Sequence, residues 1–157
     1  MGSFKSIEFV NNKVIIIHYL LDEYNSHDFV KEYTYEIFKN EIIEKYRYGV
    51  NCGWTDIIEI TENTITTIMP KYDEILIDNI KKFNIDKLKK LINIMESYNI
   101  YHDDFAFRNI GIDNNGDYHL IDLSSLTKDK SYKIYVQDNE IVIGENYYLR
   151  DDLKKII

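Results

Sequence analysis

The sequence predicts an α+β fold with antiparallel strands, and two observations carry that reading. Strand-like runs come as neighbouring pairs separated by turn residues, and helical periodicity appears between those pairs rather than after every strand. The resulting order is hairpin, helix, hairpin, helix, loop, hairpin, tail.

The first pair comprises residues 4–10 and 13–20, divided by Asn11-Asn12, a dipeptide that tolerates positive φ. Ser26 is the expected N-cap of the first helix, with Asp28 in its first turn. From there to about Tyr46, Phe29, Tyr33, Ile37 and Ile42 recur at helical intervals. A Gly- and Asn-rich loop at 49–53 ends that helix. The second pair, 56–60 and 64–69, turns at Glu62-Asn63, and Pro70 stops it. Residues 73–83 are ambiguous and read as helical. Ile85, Leu88, Leu91, Ile92 and Met95 then mark a strongly amphipathic helix ending near Tyr98-Asn99. A polar loop at 101–108 leads into a third hairpin, 110–113 and 118–122, around Asn114-Asn115-Gly116. The tail holds a fourth, 132–136 with 141–143, and a short helix from Tyr147.

Composition bounds what this fold can do. The chain has 157 residues, 45% of them hydrophobic, which suits one domain with a core or two very small lobes. Its formal charge of −8 and the absence of any long basic run argue against binding to nucleic acid. The longest apolar run, 14–17, is far too short to span a membrane, and no membrane association is expected. Gly2 with Ser3 and Ser6 fits an acylation pattern only loosely. Cys52 is the single cysteine and has no internal disulfide partner, so the expected setting is reducing and cytoplasmic.

The stretch that carries chemistry is YHDDFAFRNIGIDNNGDYHLIDLSS, residues 101–125. It places an Asp at 104, an Asn five residues later at 109, and an Asp thirteen residues beyond that, at 122. Phosphoryl transfer requires an oriented hydroxyl and neutralised phosphate charge. A carboxylate at the mouth of a loop can take a hydroxyl proton, while an amide oxygen and a second carboxylate are the hard ligands that Mg²⁺ prefers. The expected hairpin brings the last two together, since Asn109 enters its first strand and Asp122 leaves its second. Arg108 adds a permanent cation to the same loop.

These residues resemble the protein-kinase family. Its catalytic loop reads His-Arg-Asp, four residues, Asn; here His102-Asp103-Asp104 and Asn109 stand in that pattern, and Asp122-Leu123-Ser124 matches the family's Asp-Phe-Gly at its Asp. The run Asp104-Phe-Ala106-Phe-Arg108-Asn109 is also similar to the tyrosine-kinase Asp-Leu-Ala-Ala-Arg-Asn. The resemblance implies a reduced kinase-like fold: a small antiparallel N-terminal sheet with a helix like the family's αC over 1–69, and a truncated helical C-terminal lobe over 70–157. It covers roughly residues 13–125, with strong motifs only from 102 to 122. It implies ATP and Mg²⁺ (or Mn²⁺) as cofactors, Asp104 as the base, Arg108 as an auxiliary cation, and Asn109 and Asp122 as metal ligands. Upstream, Glu36 is the candidate for the glutamate that pairs with the family's nucleotide-anchoring lysine, with Glu32 and Glu41 as substitutes. Met69-Pro70-Lys71-Tyr72 would be the hinge that meets adenine.

The sequence also departs from the family. No Gly-rich phosphate loop lies in residues 1–20. His18 stands where the anchoring lysine belongs, and a neutral imidazole cannot replace an ammonium there, although a protonated one can. Lys13 and Lys5 are the fallback cations. Asp103 replaces the Arg that holds a phosphorylated activation loop, and the 33 residues after Ser124 cannot build a full peptide platform. Three readings compete with a phosphotransferase. An HD-type metal phosphohydrolase wants an all-helical site, which the hairpin after His102-Asp103 does not offer. A calcium loop at 113–122 fails because Tyr118 and Ser124 hold positions that need Gly and Glu. The third is a pseudokinase that binds nucleotide or a partner protein. If active, the chain transfers the γ-phosphoryl group of ATP to a hydroxyl of a protein or small molecule. A homodimer mate or partner protein would then supply what the phosphate loop lacks.

Overall fold

The structure is a computed structural model that describes residues 2–21 and 34–156. The chain divides into two compact units, residues 1–71 and 72–157.

The first unit is a four-stranded antiparallel sheet with one helix. Strands β1 (Gly2–Val10) and β2 (Lys13–Leu21) form a hairpin whose turn places Asn11 at φ 56°. Strands β3 (Asp56–Ile60) and β4 (Thr64–Pro70) form a second, and the sheet order is β1-β2-β4-β3. Along β4, Ile65, Thr67 and Met69 alternate into the interior, the period-two burial of a half-buried strand. Pro70 sits at the end of β4, where its missing N–H costs little.

Helix α1 runs Tyr35–Asn51. Its N-cap is Thr34, which is extended (φ −86°, ψ 165°) and whose side chain accepts the Ile37 N–H at 3.3 Å. Ser26, Asp28, Phe29, Glu32 and Tyr33 lie outside the described residues. The helix also continues past Tyr46. It stops where Gly53 takes φ 76°, the Gly53 N–H reaches Val50 O at 3.0 Å, and the Trp54 N–H reaches Gly49 O at 2.9 Å. That is a Schellman ending, and it requires a residue comfortable in the left-handed region. Ile43 and Tyr46, three residues apart, face inward and join Leu20, Trp54, Ile65 and Met69 in the core.

The second unit is built on helix α2 (Ile85–Ser97), capped by Asn84, which accepts the N–H groups of Asp86 and Lys87 at 2.9 and 3.2 Å. Its apolar stripe of Leu88, Leu91, Ile92 and Met95 is fully buried. Residues 73–83 are not the single helix that the sequence suggested. A short strand β5 (Glu74–Ile75) precedes two 3₁₀ turns over Leu76–Lys82, broken at Asn79, whose amide donates to Ile75 O at 2.9 Å. Strands β7 (Ile110–Ile112) and β8 (Tyr118–Leu120) pair in the sheet β5-β7-β8, while β6 (Tyr101–His102) pairs with β9 (Leu126–Thr127). Strands β10 (Ile134–Gln137) and β11 (Glu140–Ile143) make the tail hairpin, with Asp138 and Asn139 both at positive φ, and helix α3 (Tyr147–Lys154) follows.

Among the described residues no helix is long and apolar enough to cross a membrane.

Candidate functional site

Segment 101–108 is not the polar loop that its composition suggested. Tyr101, His102, Phe105, Ala106 and Phe107 are all 3% exposed or less, leaving mainly Asp103, Asp104 and Arg108 to face solvent. A buried irregular segment must have its backbone polar groups satisfied. Strand β6 meets part of that need, together with Asp103 N–H donating to Ser125 O at 3.0 Å. The Phe107 N–H donates to a carboxylate oxygen of Asp152 on α3 at 2.9 Å, across 45 residues.

The imidazole of His102 ties the segment together. Asp104 N–H lies 3.0 Å from Nδ1, and a backbone N–H can only donate, so Nδ1 accepts. Nε2 lies 2.6 Å from Asp122 O, a carbonyl that can only accept, so Nε2 carries the proton. His102 is therefore neutral with a fixed tautomer. Burial pushes its pKa below the ordinary 6.5, against the opposing pull of the Asp122 carbonyl and the carboxylates of Asp122, Asp103 and Asp104. One ring thus fixes the backbone of two of the three motif residues.

The third is fixed as directly. The Asn109 amide nitrogen donates to Asp104 O at 2.7 Å and to Asp104 Oδ2 at 3.2 Å. Both partners are acceptors, so the amide orientation follows from chemistry, and Oδ1 is the pole left for another ligand. The Ile121 N–H donates to Asn109 O at 3.1 Å, locking the start of β7 beside the residue before Asp122. The hydroxyls of Ser124 and Ser125 donate to the two carboxylate oxygens of Asp122 at 3.0 and 3.1 Å. Arg108 pairs with Asp104 Oδ1 and lies over the ring of Tyr148, 4.7 Å from its centroid. Asp104, Arg108, Asn109 and Asp122 are thereby brought together in the second unit.

The donor set suits a hard divalent cation, because Asn109 and Asp122 offer an amide and a carboxylate oxygen. No group of three or more His, Cys, Asp or Glu able to hold a metal occurs among the described residues. A cation at this pair would therefore need oxygens from a ligand or water to complete its shell.

His18, Glu36, Met69 and Lys71 all belong to the first unit. His18 is 2% exposed, and its Nδ1 bonds Tyr46 OH at 2.8 Å with the rings edge to face. Tyr46 on α1 thus contacts His18. Glu36 is exposed in the first turn, ten residues away, about 15 Å along the axis. Met69 is 5% exposed and packed in the sheet. The Lys71 N–H donates to Asn12 O at 3.0 Å, and its ammonium lies 5.4 Å from the Phe9 ring centroid.

Sequence reading missed Asp152, Ser125 and the linking role of His102. Asp152 left a signal: it sits three residues after Leu149, so a charge occupies the inward face of α3. The two serine contacts left none.

No protein-family profile matches the chain, and no curated protein matches it. Solved structures do. The chain is similar to the monomeric WbdD crystal structure at TM-score 0.55 and 16% identity, covering 80% of this chain and 33% of that one. A low-resolution WbdD structure with its C-terminal bundle ordered gives TM-score 0.55 and 15% identity, covering 95% and 32%. A further structure, described as the bifunctional kinase-methyltransferase WbdD, gives 0.51 and 17%, covering 79% and 30%. At these identities the likeness shows the fold alone: a small, reduced kinase-like α+β fold. The chain spans about a third of the length of those proteins.

Proposed function

We propose that the chain is an ATP- and Mg²⁺-dependent phosphotransferase that moves the γ-phosphoryl group to a hydroxyl. The observation that carries this reading is that one neutral imidazole holds the backbones of Asp104 and Asp122, while the Asn109 amide donates to Asp104. Asp104 is the base. It takes the proton as the acceptor oxygen bonds to the γ-phosphorus, while the bond to the bridging oxygen breaks and ADP leaves. Asn109 and Asp122 are the oxygen ligands for a divalent cation, which when bound would neutralise charge on the phosphates. Arg108 is the auxiliary cation. Its pair with Asp104 is solvent-exposed, at 48% and 32%, and such pairs contribute under about 1 kcal/mol, so the guanidinium can turn to a phosphate at small cost.

The test is transfer of labelled γ-phosphate to added hydroxyl acceptors, with Asp104→Ala as control. Loss of a positioned base costs about 10²–10⁴ in rate. Label transfer with Mg²⁺ that falls by that range in the variant supports the reading; transfer unaffected by Asp104→Ala overturns it.

A second reading, a module that binds nucleotide or a partner protein without transfer, is favoured by one observation. His18, at the anchoring-lysine position, is buried against Tyr46 rather than offering an ammonium. Metal-dependent nucleotide binding with no label transferred to any acceptor would favour it. An active dimer whose monomeric interface variants are inactive would instead indicate that a second copy completes the nucleotide site.

A further inference from the structure

Beside the base-bearing segment, the second unit holds a small cavity of about 170 Å³. Four of its walls are aromatic: Phe105, Tyr132, Tyr147 and Tyr148. Its charged groups are the carboxylates Asp103 and Glu145, and none of the residues lining it is a lysine or arginine. Asn146 completes it, nearly fully buried and donating its amide to Tyr132 O at 2.9 Å, which fixes one wall to another. Tyr147 and Tyr148 are 62% and 57% exposed, so their rings stand at the rim with apolar surface in water.

The aromatic faces and the two carboxylates presented to this space are electron-rich. Aromatic faces attract cations through their quadrupole, and the Tyr148 ring already takes the Arg108 guanidinium at 4.7 Å from its centroid. Two features oppose a cation: residues 146–148 form the positive end of α3, and the Arg108 guanidinium stands on the Tyr148 ring, although Arg108 is already paired with Asp104 outside the cavity. That end carries about half an elementary charge, against two full negative charges from Asp103 and Glu145, so the carboxylates decide the sign. Size sets the second limit. An apolar cavity of about 150 Å³ holds a molecule the size of benzene, so a head group of that order fits here. The location sets the third, because Asp103 and Phe105 are the chain neighbours of Asp104.

We propose that this cavity binds the ammonium end of a small acceptor, an amino alcohol whose hydroxyl is the group phosphorylated next to Asp104. The proposal rests on the phosphotransferase reading for its chemistry but not for its binding, and the two separate experimentally.

The probe is choline, compared with its neutral isostere 3,3-dimethylbutan-1-ol, titrated into the full chain without nucleotide and followed by NMR of the tyrosine rings. Choline should perturb Tyr132, Tyr147 and Tyr148 and bind about tenfold or more tighter than the neutral alcohol. Glu145→Gln, at an exposed position that leaves folding intact, should weaken choline by a similar factor and leave the neutral alcohol unchanged. Absence of choline binding overturns the proposal. So does equal binding of the two probes, or a neutral polyol that outcompetes choline. Choline binding without phosphoryl transfer leaves the cation site standing and removes the phosphotransferase reading. Transfer to other acceptors without choline binding does the reverse.

Discussion

Replacing Asp152 with alanine isolates the contact that pins the candidate catalytic segment to α3. The carboxylate accepts the Phe107 N–H at 2.9 Å, and Phe107 is wholly buried. Without it, that N–H has no replacement from bulk solvent. A hydrogen bond to a charged acceptor contributes about 1.5–3 kcal/mol, and loss of the acceptor from a buried donor falls at the upper part of that range. The Lys155 ammonium lies 3.6 Å from the other oxygen but is 62% exposed, so it adds little. The expected loss is therefore about 2–3 kcal/mol. At about 2–4 °C per kcal/mol for a chain of this length, Tm should fall by about 5–10 °C. Asp152→Asn keeps an acceptor oxygen and should fall by less than half as much. Circular dichroism melting of the three proteins is the assay. An alanine variant that melts within 2 °C of wild type, or an asparagine variant as damaged as the alanine one, would refute the assignment.

Two other perturbations have clear signs. Because burial holds the His102 pKa below 6.5, the unfolded chain binds the extra proton first as pH falls; stability should drop from pH 6.5 toward 5, by at most about 1.4 kcal/mol per pH unit, and His102→Gln should flatten that slope in denaturant titrations. A Cβ on Gly111 would lie 2.5 Å from Tyr72 Cδ2 and 2.6 Å from Cγ, and the Tyr72 ring is stacked on His119. Gly111→Ala should therefore cost about 1–3 kcal/mol by overpacking, and most of that cost should vanish in a Tyr72→Ala background; an unchanged cost there would sink the explanation.

Much of this architecture was legible in the residues. The Asn11-Asn12 and Glu62-Asn63 turns, the stripe from Leu88 to Met95 and the hairpin around Gly116 are local patterns, and local patterns survive into the fold. The segment 73–83 was not legible, because Asn79 bonds back to Ile75 O and breaks a sequence with helical periodicity. Within the candidate site, the spacing of Asp104, Asn109 and Asp122 was readable, since the hairpin between them is short. What orients them was not. His102 and Asp152 act through contacts 20 and 45 residues along the chain, which spacing alone does not encode, and the contacts of Ser124 and Ser125 with Asp122, though only two and three residues away, depend on the turn that follows Asp122. The buried setting of 101–107 was hidden for the same reason, its acidic residues masking three aromatics that point inward.

That 45-residue reach from Phe107 to Asp152 has a consequence during synthesis. The segment that holds Phe107 leaves the ribosome well before the carboxylate that anchors it. At about 5–20 residues per second, it waits roughly 2–9 s for its partner to be made. Throughout that interval a buried amide and the neighbouring phenylalanines have no home, so chaperone capture or aggregation of nascent chains should concentrate there.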